Sequence, residues 1–401
     1  MKVLKLSTVL LALYSSTLFA SDEKLESYIS ETKKEQFRYD YEKNEADSSK
    51  LRDSWIAPLN LNYSYLKSNP YGDEQISENA SIKMDQLIFQ SGGIYYGIKF
   101  AEASKIYADY SIDVAKRKLV KDAISLLMQI KQMDLKREKQ NLLIKNSEIS
   151  LAQKKENYLN GQLDSGFLDS AIIERNQLIQ ALYDIQTNKE RLISKFHAIS
   201  DMDYKDATVP SLELFSQKEF LEQNIVLTMS QSQIEKNRYF SDVTTAKYLP
   251  KVNFVAGYNW DKSDTIFQFG PNEKDYYSVG LKANLPLDVN SFRDVESSKV
   301  DYMKSKIVVE DRKRELVAIY EQVVQNIDNL EKKKQLSVEN QDVYERLLID
   351  TKQLFDAGYK AEFDVELMQN SVEIQKSDVA IYEIDKQLEL LTLYEMYKNE
   401  I

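Results

Sequence analysis

Residues 247–261 read KYLPKVNFVAGYNWD and break the pattern of the sequence around them. Val252, Phe254, Ala256, Tyr258 and Trp260 alternate with Asn253, Val255, Gly257 and Asn259. Side chains that change face at every residue define a strand, here with one apolar and one mainly polar side. The flanks are charged and helical in spacing. The same alternation recurs at 55–66, where Leu59, Leu61, Tyr63 and Tyr65 oppose Asn60, Asn62 and Ser64. It returns at 80–89 (Ala80, Ile82, Met84 and Ile88, with Gln86 interrupting) and at 276–287. There Tyr277, Val279, Leu281, Ala283, Leu285 and Leu287 oppose Ser278, Gly280, Lys282 and Asn284. Turn-rich loops close the two pairs: KSNPYGDEQISEN, with Pro70 and Gly72, and DKSDTIFQFGPNEKDY.

The rest is helical. With 10 Gly and 6 Pro among 401 residues, clustered at a few points, the chain is built from a few very long elements. Residues 98–160 contain neither breaker, and Leu119, Ala123, Leu126, Ile130 and Met133 step through them as a packing seam. A helix of about 65 residues is roughly 100 Å long. The turn LNGQLDSGF (159–167) ends it and a return helix follows over 168–200. Val209-Pro210 marks a crossing, and 216–248 is helical again. The second long helix covers 287–357, with Leu316, Ile319, Val323, Ile327 and Leu330 as its seam. The turn FDAGYKAEF (355–363) then leads into a last helix running to Ile401.

The order helix, strand, loop, strand, long helix, tight turn, return helix therefore occurs twice. Pro58 corresponds to Pro250, Ile82 and Met84 to Leu281 and Ala283, and Gly161 to Gly358. We read residues 21–210 and 211–401 as two structural repeats. Ahead of them, Lys2 and Lys5 followed by VLLALYSSTLFA predict a secretory signal over residues 1–20, with Leu18 an unusual residue at its cleavage site.

Composition narrows the function. A net charge of -11 argues against nucleic acid as a partner. The absence of Cys removes disulfides, thiolate metal sites and thiol nucleophiles. His197 is the single histidine, so histidine metal clusters and acid–base dyads are excluded. No enzyme activity and no cofactor are expected. No later segment holds about 18 consecutive apolar residues, so a membrane reading must use strands.

Four strands with one apolar face either cap a soluble core or turn that face to lipid. In lipid no strand edge can stay open, and a barrel needs about eight strands. Four per chain forces oligomerisation; three chains supply twelve. Tyr63, Tyr65, Tyr258, Trp260, Tyr276 and Tyr277 lie near the loop-side ends, where an aromatic girdle belongs. Asn60, Asn62, Asn253, Asn259, Lys282 and Asn284 would then line a wet lumen. The soluble alternative is a periplasmic coiled-coil adaptor or scaffold, with the strands as a small capping sheet.

The duplicated order, Tyr248-Leu249-Pro250 before a strand, Pro286-Leu287 before a long helix, and the aromatic-x-x-Gly turns at Tyr158–Gly161 and Phe355–Gly358 resemble the TolC family of outer-membrane efflux ducts. The resemblance spans essentially the whole mature chain. It implies a mainly α fold with a small β part, and a homotrimer sharing a twelve-stranded barrel continued by a helical periplasmic tunnel. It also implies a passive conduit for drug efflux or type I secretion, docked at its far tip by a periplasmic adaptor and an inner-membrane transporter. Gly161 and Gly358 would mark that tip. The family's constricting aspartate matches Asp364; Leu367 stands where a second acid is often found, and Phe355 and Lys360 match a linking aromatic and a basic residue. Three copies of Asp364 would form a cation-attracting ring, and Leu367 an apolar one. As a residue of its helix's first turn, Asp364 equally serves the helix dipole.

Overall fold

The computed structural model describes residues 27–69, 72, 74–264 and 272–398. The signal segment 1–20, Pro70, and residues 265–271 of the second strand loop lie outside these. The elements are α1 (Glu31–Arg52), β1 (Asn60–Ser68), β2 (Gln75–Phe89), α2 (Gly93–Leu159), α3 (Ser165–His197), α4 (Gln217–Glu222), α5 (Ile225–Lys247), β3 (Lys251–Asp264), β4 (Asn272–Asn284), α6 (Ser291–Asp356) and α7 (Glu362–Tyr394). Corresponding helices match in length: 67 and 66 residues in α2 and α6, 33 in both α3 and α7, and 22 and 23 in α1 and α5. The chain divides into two compact units, one of Tyr39–Ile112 and Val226–Arg312, the other of Met1–Arg38, Asp113–Ile225 and Lys313–Ile401. Each draws on both halves of the sequence.

The first unit carries the sheet, ordered β1-β2-β3-β4 and antiparallel throughout. Directly opposed residues share a face. Leu61 pairs with Ile82, Ile82 with Tyr258 and Tyr258 with Tyr277, while Phe254 pairs with Leu281 and Ala80 with Trp260. The apolar alternation of each strand is thus in phase with its neighbours, and one side of the whole sheet is apolar.

Strand limits differ from the sequence reading at both ends. β1 begins at Asn60, because Pro58 has no N–H to offer a ladder. The preceding residues are instead held by Gln86, which accepts from the Ala57 N–H (3.0 Å) and donates to the Trp55 carbonyl (3.1 Å). Gln86 interrupts the apolar face in order to satisfy that backbone. Ile88, expected on the apolar face, falls at a bulge; the register shifts between Leu87 and Phe89, so Phe89 opposes Val252.

The second unit is helical. Ala123, Ile124, Leu127, Met128 and Ile130 of α2 are fully buried. The seam read from sequence is therefore widened: its Ala123 and Ile130 are fully buried, Leu119, Leu126 and Met133 are half-buried, and a second stripe through 120, 124 and 127 also faces the core. A helix covered on two adjacent sides buries a wider face than a single heptad seam marks. On α6 the expected Leu316, Val323 and Ile327 are buried, with Ile319 and Leu330 at the margin.

The helix read over 216–248 is broken at Gln223–Asn224. Gln223 leaves helical geometry (φ -103°, ψ 17°) and its carbonyl accepts from the Lys398 N–H at 2.7 Å. The Ile225 N–H in turn donates to the Met396 carbonyl at 2.9 Å, and Asn224 bridges to Tyr397. For the same reason the last helix stops at Tyr394: the residues after it turn, and Tyr397 forms an isolated antiparallel bridge with Asn224. Arg117 fixes this segment by donating to the carbonyls of Tyr397 (2.7 Å) and Lys398 (2.8 Å).

Candidate channel wall and helical tip

On the apolar side of the sheet, Leu61, Tyr277 and Leu281 are 70%, 79% and 71% exposed. Among the described residues, no element covers them. Toward the loop ends of the strands, aromatic polar tips meet carboxylates on the same face. Tyr63 donates to Glu78 (3.2 Å), Tyr258 to Asp275 (2.9 Å) and the Trp260 indole N–H to Glu273 (2.8 Å). An amphipathic ring with a satisfied polar tip suits a boundary between apolar and wet surroundings. The sequence indicated the aromatics; the carboxylates that partner them could be found only from the register.

The opposite side is polar. Asn60, Asn62, Asn253, Asn259, Lys282 and Asn284 share it: Asn60 opposes Lys83, Asn253 opposes Lys282, and Asn259 opposes Ser81. Asn253 donates to Asp85 at 2.5 Å and Asn79 donates to Asp261. Asp85 and Asp261, unremarked in the sequence, give this side acidic as well as basic and amide character. Tyr276 lies here too, opposite Asn259, and so is separated from the other aromatics by one face of the sheet.

Among the described residues β1 and β4 each have one neighbour, so each leaves one row of backbone N–H and C=O groups unpaired there.

The helical tip repeats one backbone device. Gly161 (φ 72°) follows α2 and Gly358 (φ 79°) follows α6. At the first, the Gly161 N–H donates to Tyr158 (3.0 Å) and the Gln162 N–H to Asn157 (2.8 Å); at the second, Gly358 donates to Phe355 (2.9 Å) and Tyr359 to Leu354 (2.8 Å). This pairing satisfies the last helical carbonyls and requires a left-handed residue, which Gly adopts at least cost.

The return helices start differently. Asp164 caps α3, accepting from the Gly166 N–H at 3.0 Å, a bond that holds its carboxyl below the usual carboxylate range. The equivalent position in α7 is Ala361, which has no acceptor. Asp364 takes over from within the helix, accepting from the Ala361 N–H at 3.1 Å, with Lys360 3.9 Å from the same oxygen. Among the gate candidates, then, Asp364 and Lys360 are brought together, while Phe355 is exposed and Leu367 half-buried. Within one chain Asp364 completes a helix start.

The helix charges read from sequence as solvated faces and inter-helix pairs, each worth little alone, and several polar groups do join α7 to its neighbours. To α2 it is joined by Lys139–Asp378 (2.6 Å), Gln132–Asp385 (2.5 Å) and Asn370–Asn146 (2.8 Å); to α6, by Lys334–Glu383 (2.5 Å) and Lys386–Glu331 (2.6 Å). The Lys334 hydrogen bond holds Glu383 below the ordinary carboxylate range. His197 closes α3 between the rings of Phe196 and Tyr204, each with centroids 6.2 Å away. Among the described residues there is no grouping of metal-ligating side chains, and no helix is long and apolar enough to cross a membrane.

Residues 217–397 match the family model described as outer membrane efflux protein. No curated protein matches in sequence. Solved structures match across nearly the whole chain. The Campylobacter jejuni CmeC outer membrane channel aligns with TM-score 0.71 at 10% identity, covering 94% of this chain and 86% of that one. The outer membrane protein VceC of Vibrio cholerae aligns with TM-score 0.68 at 13% identity, covering 91% and 93%. The Neisseria gonorrhoeae MtrE outer membrane channel, in its open state, gives 0.62 at 11% identity, covering 90% and 85%.

Proposed function

We propose that this chain is a TolC-like outer-membrane efflux channel protein that carries out no chemistry and works as a homotrimeric exit duct, a reading supported by the family match over 217–397 and the channel folds it resembles. The observation carrying the trimer is the sheet itself: a bare apolar face between two unpaired edges. In hydrocarbon each unpaired backbone group costs several kcal/mol, so the edges must meet those of other copies. β4 of one copy pairs with β1 of the next, and three copies close twelve strands. The apolar face meets lipid, the aromatic–carboxylate rim sits at its outer boundary, and Asn60, Asn62, Asn253, Asn259, Lys282 and Asn284 line a water-filled bore.

The repeats, 21–210 and 211–401, each supply half of one copy's wall, after export directed by residues 1–20. The Gly161 and Gly358 turns form the periplasmic end, where an adaptor protein docks and an inner-membrane transporter delivers cargo for efflux or type I secretion. Asp364 and Leu367 narrow the tunnel there, with Phe355 and Lys360 beside them, and passage is passive. The bonds from α7 to α2 and α6 set how freely the tip widens.

The native chain has no Cys, so introduced pairs report cleanly. Asn62→Cys on β1 with Ser278→Cys on β4, and the same pair stepped by two residues along either strand, should yield covalent dimers and trimers in membranes under oxidation. Monomer alone across the whole set, in protein still embedded in membrane, refutes the edge pairing.

A further inference from the structure

A cavity of about 450 Å³ lies among α2, α5 and α6 in the sheet-bearing unit. Two facing helical stripes build it: Gln233, Lys236, Asn237 and Phe240 on α5, and Asp301, Lys304, Ser305 and Val308 on α6. Both follow the i, i+3, i+4, i+7 spacing of a packing seam, where apolar residues are the rule. Here amide, ammonium, carboxylate and hydroxyl groups occupy most seam positions, and the helices enclose space instead of closing on each other. Phe100 of α2 stacks near Phe240 (centroids 5.5 Å, tilted) and supplies an aromatic side.

Lys236 stands out within it. It is half-buried, and its ammonium lies over the Tyr107 ring, 4.6 Å from the centroid. Among the described residues it makes no ion pair. Burial alone pulls its proton affinity down. A partly desolvated ammonium held only by a ring face retains unused attraction for an anion. Asp301 and Lys304, exposed and three residues apart on α6, offset one another, so Lys236 provides the cavity's net positive charge. The position is clear of hydrocarbon: eleven residues of α5, about 16 Å of helix, separate Lys236 from the end of that helix, ahead of β3.

We infer that this cavity binds a soluble organic anion with an aromatic body, its acid group on the Lys236 ammonium and its ring against Phe100 and Phe240. A volume of this size admits a molecule of that class. This goes beyond the duct reading.

The test uses the full-length mature chain in lipid nanodiscs, with 1-naphthalenesulfonate as probe and the neutral 1-naphthalenemethanol as its isostere, measured by equilibrium dialysis. The sulfonate should bind saturably at one site per chain, about tenfold or more tighter than the alcohol. Lys236→Met should weaken the sulfonate by about tenfold and leave the alcohol unchanged, and Lys236→Arg should stay within about threefold of the parent. Melting curves of the variants establish that they are folded. Should Lys236→Met fail to fold, the sulfonate-to-alcohol ratio on the unsubstituted chain decides alone. Non-saturable sulfonate binding, equal affinity for the two probes, or a folded Lys236→Met that binds like the parent each overturns the site.

Discussion

Asp364 carries two roles that substitution can separate. In the chain it accepts from the Ala361 N–H at 3.1 Å, with Lys360 3.9 Å away, and Ala361 itself contributes no cap. Removing a capping carboxylate costs about 1 kcal/mol, and its interaction with the helix dipole adds about 0.5 kcal/mol. Asp364→Ala should therefore lose about 1.5 kcal/mol locally, whereas Asp364→Asn keeps the acceptor and forfeits only the dipole part. The proposed ring predicts a different pattern. A divalent cation about 5 Å from each of three carboxylates gains about 1.7 kcal/mol from each at the dielectric of water, about 5 kcal/mol together. Screening at physiological salt halves this to about 2.5 kcal/mol, a factor of roughly 70 in block affinity. In planar bilayers, with magnesium titrated against single-channel current, both substitutions should weaken block by roughly that factor. Asp364→Ala should also lower the melting temperature, about three times as far as Asp364→Asn. If Asp364→Asn blocks at the same magnesium concentration as the parent, Asp364 is a helix-start residue and nothing more.

Gly161→Ala and Gly358→Ala force a left-handed conformation on a residue with a side chain, although the added Cβ meets no neighbouring atom. Each should cost about 1–2 kcal/mol from backbone strain alone, read by denaturant unfolding in detergent. Leu127, fully buried, and Leu126, half-buried, test which face of α2 is the core. Leu127→Ala should cost about 2–4 kcal/mol in the same assay and Leu126→Ala about 1 kcal/mol. Tyr397 donates to Glu219 at 2.7 Å, a bond that pushes the phenol up from its ordinary value near 10 to about 12. The folded state holds this proton more tightly, so the contribution is complete below about pH 10 and falls away as pH rises toward about 12. Tyr397→Phe should be about 1 kcal/mol less stable at neutral pH, and the gap should close across that alkaline window in denaturation curves.

Much of this fold is legible from residue spacing because its elements are long and repeated. Alternation in 252–260 assigns both faces of β3, and Gly161 and Gly358 mark the turns that end α2 and α6, since a left-handed helix end nearly demands that residue. What stayed hidden depends on contacts between distant residues. Nothing local in Gln223–Asn224 says that residues 396–398 will pair with them. Ile88 keeps the period of two set by Ala80, Ile82 and Met84 despite Gln86, and only the β2–β3 register reveals the bulge. The seam of α2 proved wider because a heptad pattern identifies one apolar face, whereas Val120, Ile124 and Leu127 are buried on a second. Asp364 was recognisable by position, but its bond back to the Ala361 N–H is seen only in the fold. Inter-helix charge pairs were expected in general, but not which: Lys139 and Asp378, 239 residues apart in sequence, are 2.6 Å apart in the fold.

The central claim is that one chain's open sheet is closed by two further copies within a membrane. Light scattering with refractive-index correction, on protein extracted from outer membranes in mild detergent, measures this directly. The account predicts extraction only with detergent and a protein mass of three 46.6 kDa chains per particle, less the signal segments. Single chains that remain dispersed in detergent-free buffer would contradict it.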